Sequence, residues 1–262
     1  MKTEMVFLMY HELELPARPL CRTEPGYVRY VLTVANFQAE MGWLRTAGWR
    51  GLSVSEALTF DGGNAAVAIT FDDGSETDLT SAATILKEHG FGATFYATAG
   101  FIGTQGYMSR AQLRQLKESG FEIGSHSMTH RYLSDLDDAG VHEELFESKH
   151  RLEEILGEAI RHFSCPGGRY DRRVAALARE AGYVTVANSR ARVNLRSSDC
   201  YTLGRVAIMR ETNLADFQNI CAGRELWKIE LRDSIRSAAK RVLGNRLYDS
   251  VRERALLRSR SG

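Results

Sequence analysis

An α/β fold built on a mostly parallel sheet is what this chain predicts, on three observations. Short apolar runs alternate with amphipathic stretches of helical length, most runs end directly in Gly, Asp, Ser or His, and several helical stretches stop at Gly. In order, the run 5–10 (Met-Val-Phe-Leu-Met-Tyr) ends at His11, and a helical pattern follows over 36–47. The run 65–71 ends at Asp72-Asp73-Gly74, and Ser75 opens a helix that reaches His89-Gly90. The run 93–97 leads to a helix over 109–119 that stops at Gly120. The run 122–125 leads through a His-containing loop to a long helix over 139–157. The runs 162–164 and 183–187 flank a helix over 171–181 that stops at Gly182. Such alternation forms βαβ units, closed as a barrel or left as an open sheet, and in both the chemistry collects where strands end.

Composition narrows the class. The chain has 262 residues, a formal net charge of +1, 44% hydrophobic and 26% charged residues, which describes a folded domain with a sizeable core. Near-neutrality removes any whole-chain case for a nucleic-acid partner. Cys21, Cys165, Cys200 and Cys221 are too few and too scattered for a disulfide framework or a Cys-rich zinc site, so reduced thiols are expected. The first apolar run is shorter than a signal-peptide core, and no stretch reaches the ~20 apolar residues of a membrane span. A cytoplasmic location is the expectation.

The charge is unevenly spread. Residues 224–262 carry a net charge of +6 and residues 1–223 a net charge of −5. Two parts are therefore expected: a domain over 1–223 holding the chemistry, and a basic amphipathic helical tail over 224–262. In the tail Arg224, Lys228, Arg232, Arg236 and Lys240 recur at every fourth position beside an apolar stripe of Leu231, Ile235, Ala238 and Val242. Three roles suit 224–258: packing on the acidic body, peripheral contact with the inner membrane surface, or contact with another subunit.

Three constellations carry chemistry, each just past a strand-like run. Asp72 and Asp73 place two repelling carboxylates together, an arrangement that a cation or a shared proton relieves. His126 and His130, in Gly-Ser-His-Ser-Met-Thr-His, can converge on one ion from a tight loop, with Ser127 and Thr129 bracing it. One Asp and two His make a site with open positions for water, the catalytic form of a metal site. Third, Cys165-Pro166-Gly167-Gly168-Arg169 is a loop in which backbone can approach a ligand and aim an N–H at an oxyanion.

In order and spacing, Thr-Phe-Asp-Asp-Gly at 70–74, His-Ser-Met-Thr-His at 126–130 and the Pro-Gly-Gly loop at 163–168 resemble the polysaccharide deacetylases. These are also called the NodB-homology or carbohydrate esterase family 4 enzymes. With Leu8-Met9-Tyr10-His11 similar to the family's opening, the resemblance covers about residues 5–221. It implies a distorted (β/α) barrel with fewer than eight strands. It also implies metal-dependent removal of N-acetyl groups from amino sugars, N-acetylglucosamine above all, in a polysaccharide or glycoconjugate. Carried over, Asp73, His126 and His130 would hold a divalent metal, zinc by expectation, and Asp72 would be the general base. The N–H of Gly167 would hold the oxyanion.

This sequence departs from the family pattern twice. Most members supply a proton from a C-terminal Leu-x-His, whereas 203–206 here reads Leu-Gly-Arg-Val and the last histidine is His162. In the biofilm poly-N-acetylglucosamine deacetylases the acid histidine comes from the N-terminal strand, and the resemblance to them gives that role to His11. Many members also carry an Arg at the position of Ser164 to hold the base; Arg169 and Arg205 are the two candidates to replace it. Substrate choice falls to the loops 98–107 and 187–199. A silent carbohydrate-binding protein and an amidohydrolase for a non-sugar amide remain alternatives, with Asp72 beside the metal set favouring an enzyme.

Overall fold

The computed structural model describes residues 4–62 and 65–231. Among them, the central ring is built from β1 (Glu4–Tyr10), β2 (Ala66–Phe71), β3 (Thr94–Ala97), β4 (Glu122–Ser125), β5 (His162–Ser164), β6 (Thr185–Asn188), β7 (Leu203–Gly204) and β8 (Val206–Ala207). Neighbours pair in parallel and in chain order from β1 to β7. β8 then returns to β1, with Leu8 opposite Val206. β7 and β8 are halves of one short segment divided by Arg205, one half pairing with each side of the remaining gap. The ring is thus a nearly closed, distorted (β/α) barrel, as the resemblance implied, with eight strand segments where fewer than eight strands were expected.

Burial on both faces explains why the strands read as continuous apolar runs. Along β1, Val6, Leu8 and Tyr10 join the core under the helices, while Met5 and Phe7 join a second cluster with Tyr96, Ala187 and Leu203. Tyr10, Phe71 and Phe95 stack at ring-centroid distances of 5.2 and 4.9 Å, and Phe37 meets Tyr10 edge-on. Phe37 lies on α1 (Val34–Thr46); the helices that follow are α2 (Ala83–His89), α3 (Arg110–Glu118), α4 (Asp138–Leu156), α5 (Arg172–Glu180) and α6 (Leu214–Cys221).

Local chemistry sets the helix ends. The side chains of Thr33, Ser109, Asp137 and Asp171 each accept a backbone N–H in the first turn, and Gly90 and Gly157 take the left-handed conformation at the ends of α2 and α4. One expectation changes: the helix predicted over 75–89 starts as a wide π-type turn, Asp78–Ala82, before becoming α2. The cysteines are free thiols, as expected. Residues 226–231 are helical, with Leu226 buried and Trp227 exposed, and the rest of the expected basic tail lies outside the described residues. No described helix is long and apolar enough to cross a membrane.

Candidate active site and metal centre

The turn after β2 places the two carboxylates. Asp72 extends the ladder by one residue, its N–H donating to the carbonyl of Tyr10 at 2.9 Å. Asp73 then takes φ +79° and Gly74 φ +85°. A Cβ at Gly74 would lie 3.2 Å from the Cα of Ala97, so only glycine lets this turn rest against β3. The N–H of Thr98 donates to the carbonyl of Asp73 at 3.2 Å, docking the turn onto the end of that strand.

Asp72 is held by Arg205. The guanidinium grips the carboxylate with two parallel bonds, Nη1 to Oδ1 and Nη2 to Oδ2, each 2.7 Å. The same side chain donates to Thr70 at 3.1 Å and to the Ser164 hydroxyl at 2.6 Å, and Ser164 lies 3.3 Å from both Asp72 oxygens. Arg205 is fully buried and lies over the Tyr96 ring. Burial would push the Asp72 carboxyl up, but Arg205 and then His126 hold it below its ordinary value, so it is ionised at neutral pH. Of the two arginines considered as partners for Asp72, Arg205 occupies the place. Arg169 instead reaches Asp135 at 3.3 Å and stacks on Tyr132.

Asp73, His126 and His130 converge, one donor atom of each lying within 4.8 Å of the others. Oδ1 of Asp73 is 3.2 Å from Nε2 of His130 and 3.5 Å from Nε2 of His126, yet has no aligned hydrogen-bond donor. A buried carboxylate oxygen facing two imidazole nitrogens without a hydrogen bond suits a shared cation, and this donor set fits a divalent metal. His126 is oriented for that task. Its Nδ1 donates to the carbonyl of Ser164 at 2.9 Å, leaving Nε2 with its lone pair toward Asp73. Burial pushes His126 down to about 4, so it is neutral at pH 7. Asp73 is held well below the carboxylate range: burial opposes this, and the close approach of His130 outweighs it.

The loop between the histidines is bent tightly. Ser127 has φ +68° and His130 φ +62°, conformations that L-residues keep only under constraint. The constraint comes partly from Ser127, whose Oγ accepts the His130 N–H at 3.0 Å. More comes from Glu144 on α4, which accepts the N–H groups of Met128 and Thr129 at 2.9 and 2.8 Å and the Thr129 hydroxyl, and from the N–H groups of Ala99 and Gly100, which donate to the carbonyls of Ser127 and Met128 at 3.0 and 2.8 Å. Sequence reasoning missed Glu144. Its signal was an acid on the inward face of α4, beside Val141, Leu145 and Ser148, all of them buried.

The remaining expected residues line the same region. His11 follows β1 and lies tilted against the Tyr30 ring, 4.9 Å between centroids, with its Nδ1 buried and without a hydrogen bond. Burial lowers its basicity, against the pull of Asp73 and Asp72, the two carboxylates it faces. Gly167 takes φ +62° after Pro166, and a Cβ there would strike the Tyr132 ring at 2.5 Å. His162 is committed elsewhere, to Glu122, Ser55 and Thr185 at 3.1, 2.8 and 2.9 Å.

A family model described as polysaccharide deacetylase matches residues 58–186, the stretch that holds β2 to β5 and both metal-facing loops. The chain belongs to the polysaccharide deacetylase family. Among curated proteins it is 29% identical over 177 residues to the putative polysaccharide deacetylase YxkH of Bacillus subtilis, covering 66% of this chain and 63% of that protein. It is 33% identical over 121 residues to a peptidoglycan-N-acetylglucosamine deacetylase of Bacillus cereus, covering 46% of this chain and 54% of that enzyme. The chain thus spans less than two thirds of the length of these relatives. Among solved structures, the deacetylase PplD of Streptococcus pyogenes, in complex with acetate, superposes with a TM-score of 0.74. The superposition covers 84% of this chain and 99% of that one at 18% identity, a likeness of fold.

Proposed function

We propose that this polysaccharide deacetylase family member is an N-deacetylase of amino sugars, acting on N-acetylglucosamine-type units of a polysaccharide or glycoconjugate. The observation that carries this reading is Asp72, gripped at both oxygens by Arg205 beside the Asp73–His126–His130 donor set. The names of the Bacillus cereus relative and of the acetate-bound fold neighbour support the same chemistry. Residues 1–223 are the catalytic unit in this reading, and the basic tail over 224–262 is an appendage to it.

Asp73, His126 and His130 would hold a divalent ion, zinc by preference, which would supply Lewis-acid chemistry toward a carbonyl and a water. The protein's own groups do the rest. Asp72 accepts a proton as a water oxygen adds to the acetyl carbon, and Arg205 keeps that carboxylate aimed and charged. The N–H of Gly167 is the donor for the oxyanion. His11 gives a proton to the amino nitrogen as the C–N bond breaks, releasing acetate and a free amine.

The test is acetate release from chitooligosaccharides, from a monosaccharide derivative and from a lipid-linked amino sugar, with and without chelator. Chelator-sensitive release from at least one is expected. Sugar binding without release from any would return the chain to a silent carbohydrate-binding role. His11→Ala should keep its metal and lose turnover by roughly 10²–10⁴-fold, the usual worth of a positioned acid. An unimpaired rate would remove His11 as the proton donor.

A further inference from the structure

The segment between His11 and the short helix Pro25–Val28 has little regular structure, so side chains must fix it. Arg18 does most of this. It donates to the buried Glu12 carboxylate, to Glu76 at 2.6 Å and to the carbonyl of Gly106 at 2.8 Å. Glu12 in turn accepts the N–H of Cys21 at 3.0 Å and the Tyr27 hydroxyl at 2.9 Å. The residue after this anchor is Arg22.

Arg22 is held as a rigid fork. Its guanidinium carbon lies 5.1 Å from the centroid of the Phe101 ring and 5.6 Å from that of Tyr27, and its Nε donates to the Tyr107 hydroxyl at 3.2 Å. Phe101 and Tyr107 belong to the loop 98–107, which the sequence marks as substrate-selecting. The two terminal nitrogens donate to no described residue, and among the described residues no carboxylate lies within ion-pair distance of Arg22. The same Phe101 ring stacks against His130, at 6.1 Å between centroids, and Asp73 lies within Coulombic reach of the guanidinium.

An arginine held in place by two rings and a hydroxyl, with its bidentate edge unused, is organised for a planar or tetrahedral anion. It stands one aromatic ring away from the metal-facing His130. In a 2-acetamido sugar, the carbons flanking C2 carry the ring substituents nearest the acetamide. Resting on the amino-sugar reading above, we propose that Arg22 is an anion-recognition element of this site, and that the preferred amino sugar carries a carboxylate or phosphate beside its acetamide.

The test is calorimetric binding to the full chain in an Asp72→Asn background, so that no sugar is consumed. The probes are N-acetylglucosamine, N-acetylmuramic acid (carboxylate at O3) and N-acetylglucosamine 1-phosphate. At least one anionic sugar is expected to bind about tenfold or more tighter than the neutral one, as a charge-assisted pair allows. The preferred anion identifies its source. Adding Arg22→Gln should abolish the preference while metal stoichiometry and thermal midpoint stay unchanged; Arg22→Lys, with charge but no fork, should fall between. Equal binding of neutral and anionic sugars overturns the proposal, as does a preference that survives Arg22→Gln. Loss of binding to all three probes, together with no acetate release by the unmodified chain, overturns the amino-sugar reading and this proposal with it.

Discussion

Both oxygens of Asp72 are gripped by a buried arginine at 2.7 Å, whereas Asp73, one residue on, faces two imidazoles with its Oδ1 lacking a hydrogen bond. The backbone makes the difference. Asp72 still belongs to the extended ladder of β2 and is served by the barrel seam, while Asp73 has turned into the left-handed region and faces the loop after β4. A charge whose counterion is built into the protein stays put and is available for proton transfer. A charge without one is left open to a cation. The adjacent acids are thus separated in task by their partners rather than by their own chemistry.

The comparison breaks most severely at Arg205. Arg205→Met leaves the Asp72 carboxylate buried without its cation, an expected loss of about 3–5 kcal/mol in urea unfolding. The sign with pH follows from the lowered value of Asp72. Its stabilising contribution is present above the unfolded carboxylate value, near 3.9, and is lost as pH falls through the lower folded value. In the variant the carboxyl rises, so the acid limb of the pH–rate profile should move to higher pH. An unmoved limb would mean that Arg205 only packs. Ser164→Arg combined with Arg205→Ala should recover part of the rate, because Ser164 already lies against both Asp72 oxygens.

A smaller effect is expected on the other side. Glu144→Gln weakens the hold on the loop that aims His130, and metal affinity should fall roughly 10–100-fold with the fold intact. Competition with a chromogenic chelator measures this, and unchanged affinity would show that the bonds from Ser127, Ala99 and Gly100 hold the loop without Glu144. The smallest is Ser164→Ala, which removes one hydroxyl from the Asp72–Arg205 pair and should cost about 1 kcal/mol of stability. Its metal content should be unchanged, since the bond from His126 goes to the Ser164 backbone carbonyl.

How much of this was legible in the sequence follows the same division. The motif strands were readable because apolar runs buried on both faces end at once in Asp, Ser or Gly, and β2, β4 and β5 lie within a residue of their expected bounds. The candidate metal donors were readable because Asp73 and His126 follow such ends within two residues, and His130 shares a short loop with His126. The seam was not: β7 and β8 are two residues each, too short for any periodicity, and only tertiary closure brings Arg205 to Asp72. Glu144 lies on a helix whose pattern reads as ordinary amphipathicity, and its bonds to 128 and 129 exist only after folding. The anchoring of Arg22 through Arg18, Glu12 and Cys21 was equally hidden, since it rests on ion pairs within an irregular segment.

The division of labour between the two acids is tested most directly by measuring metal stoichiometry and acetate release together in Asp72→Asn and Asp73→Asn. Asp72→Asn should keep one metal ion per chain and lose turnover by roughly 10²–10⁴-fold, and Asp73→Asn should lose both metal and turnover. A metal-free Asp72→Asn, or an Asp73→Asn that retains its full metal content, would contradict the account.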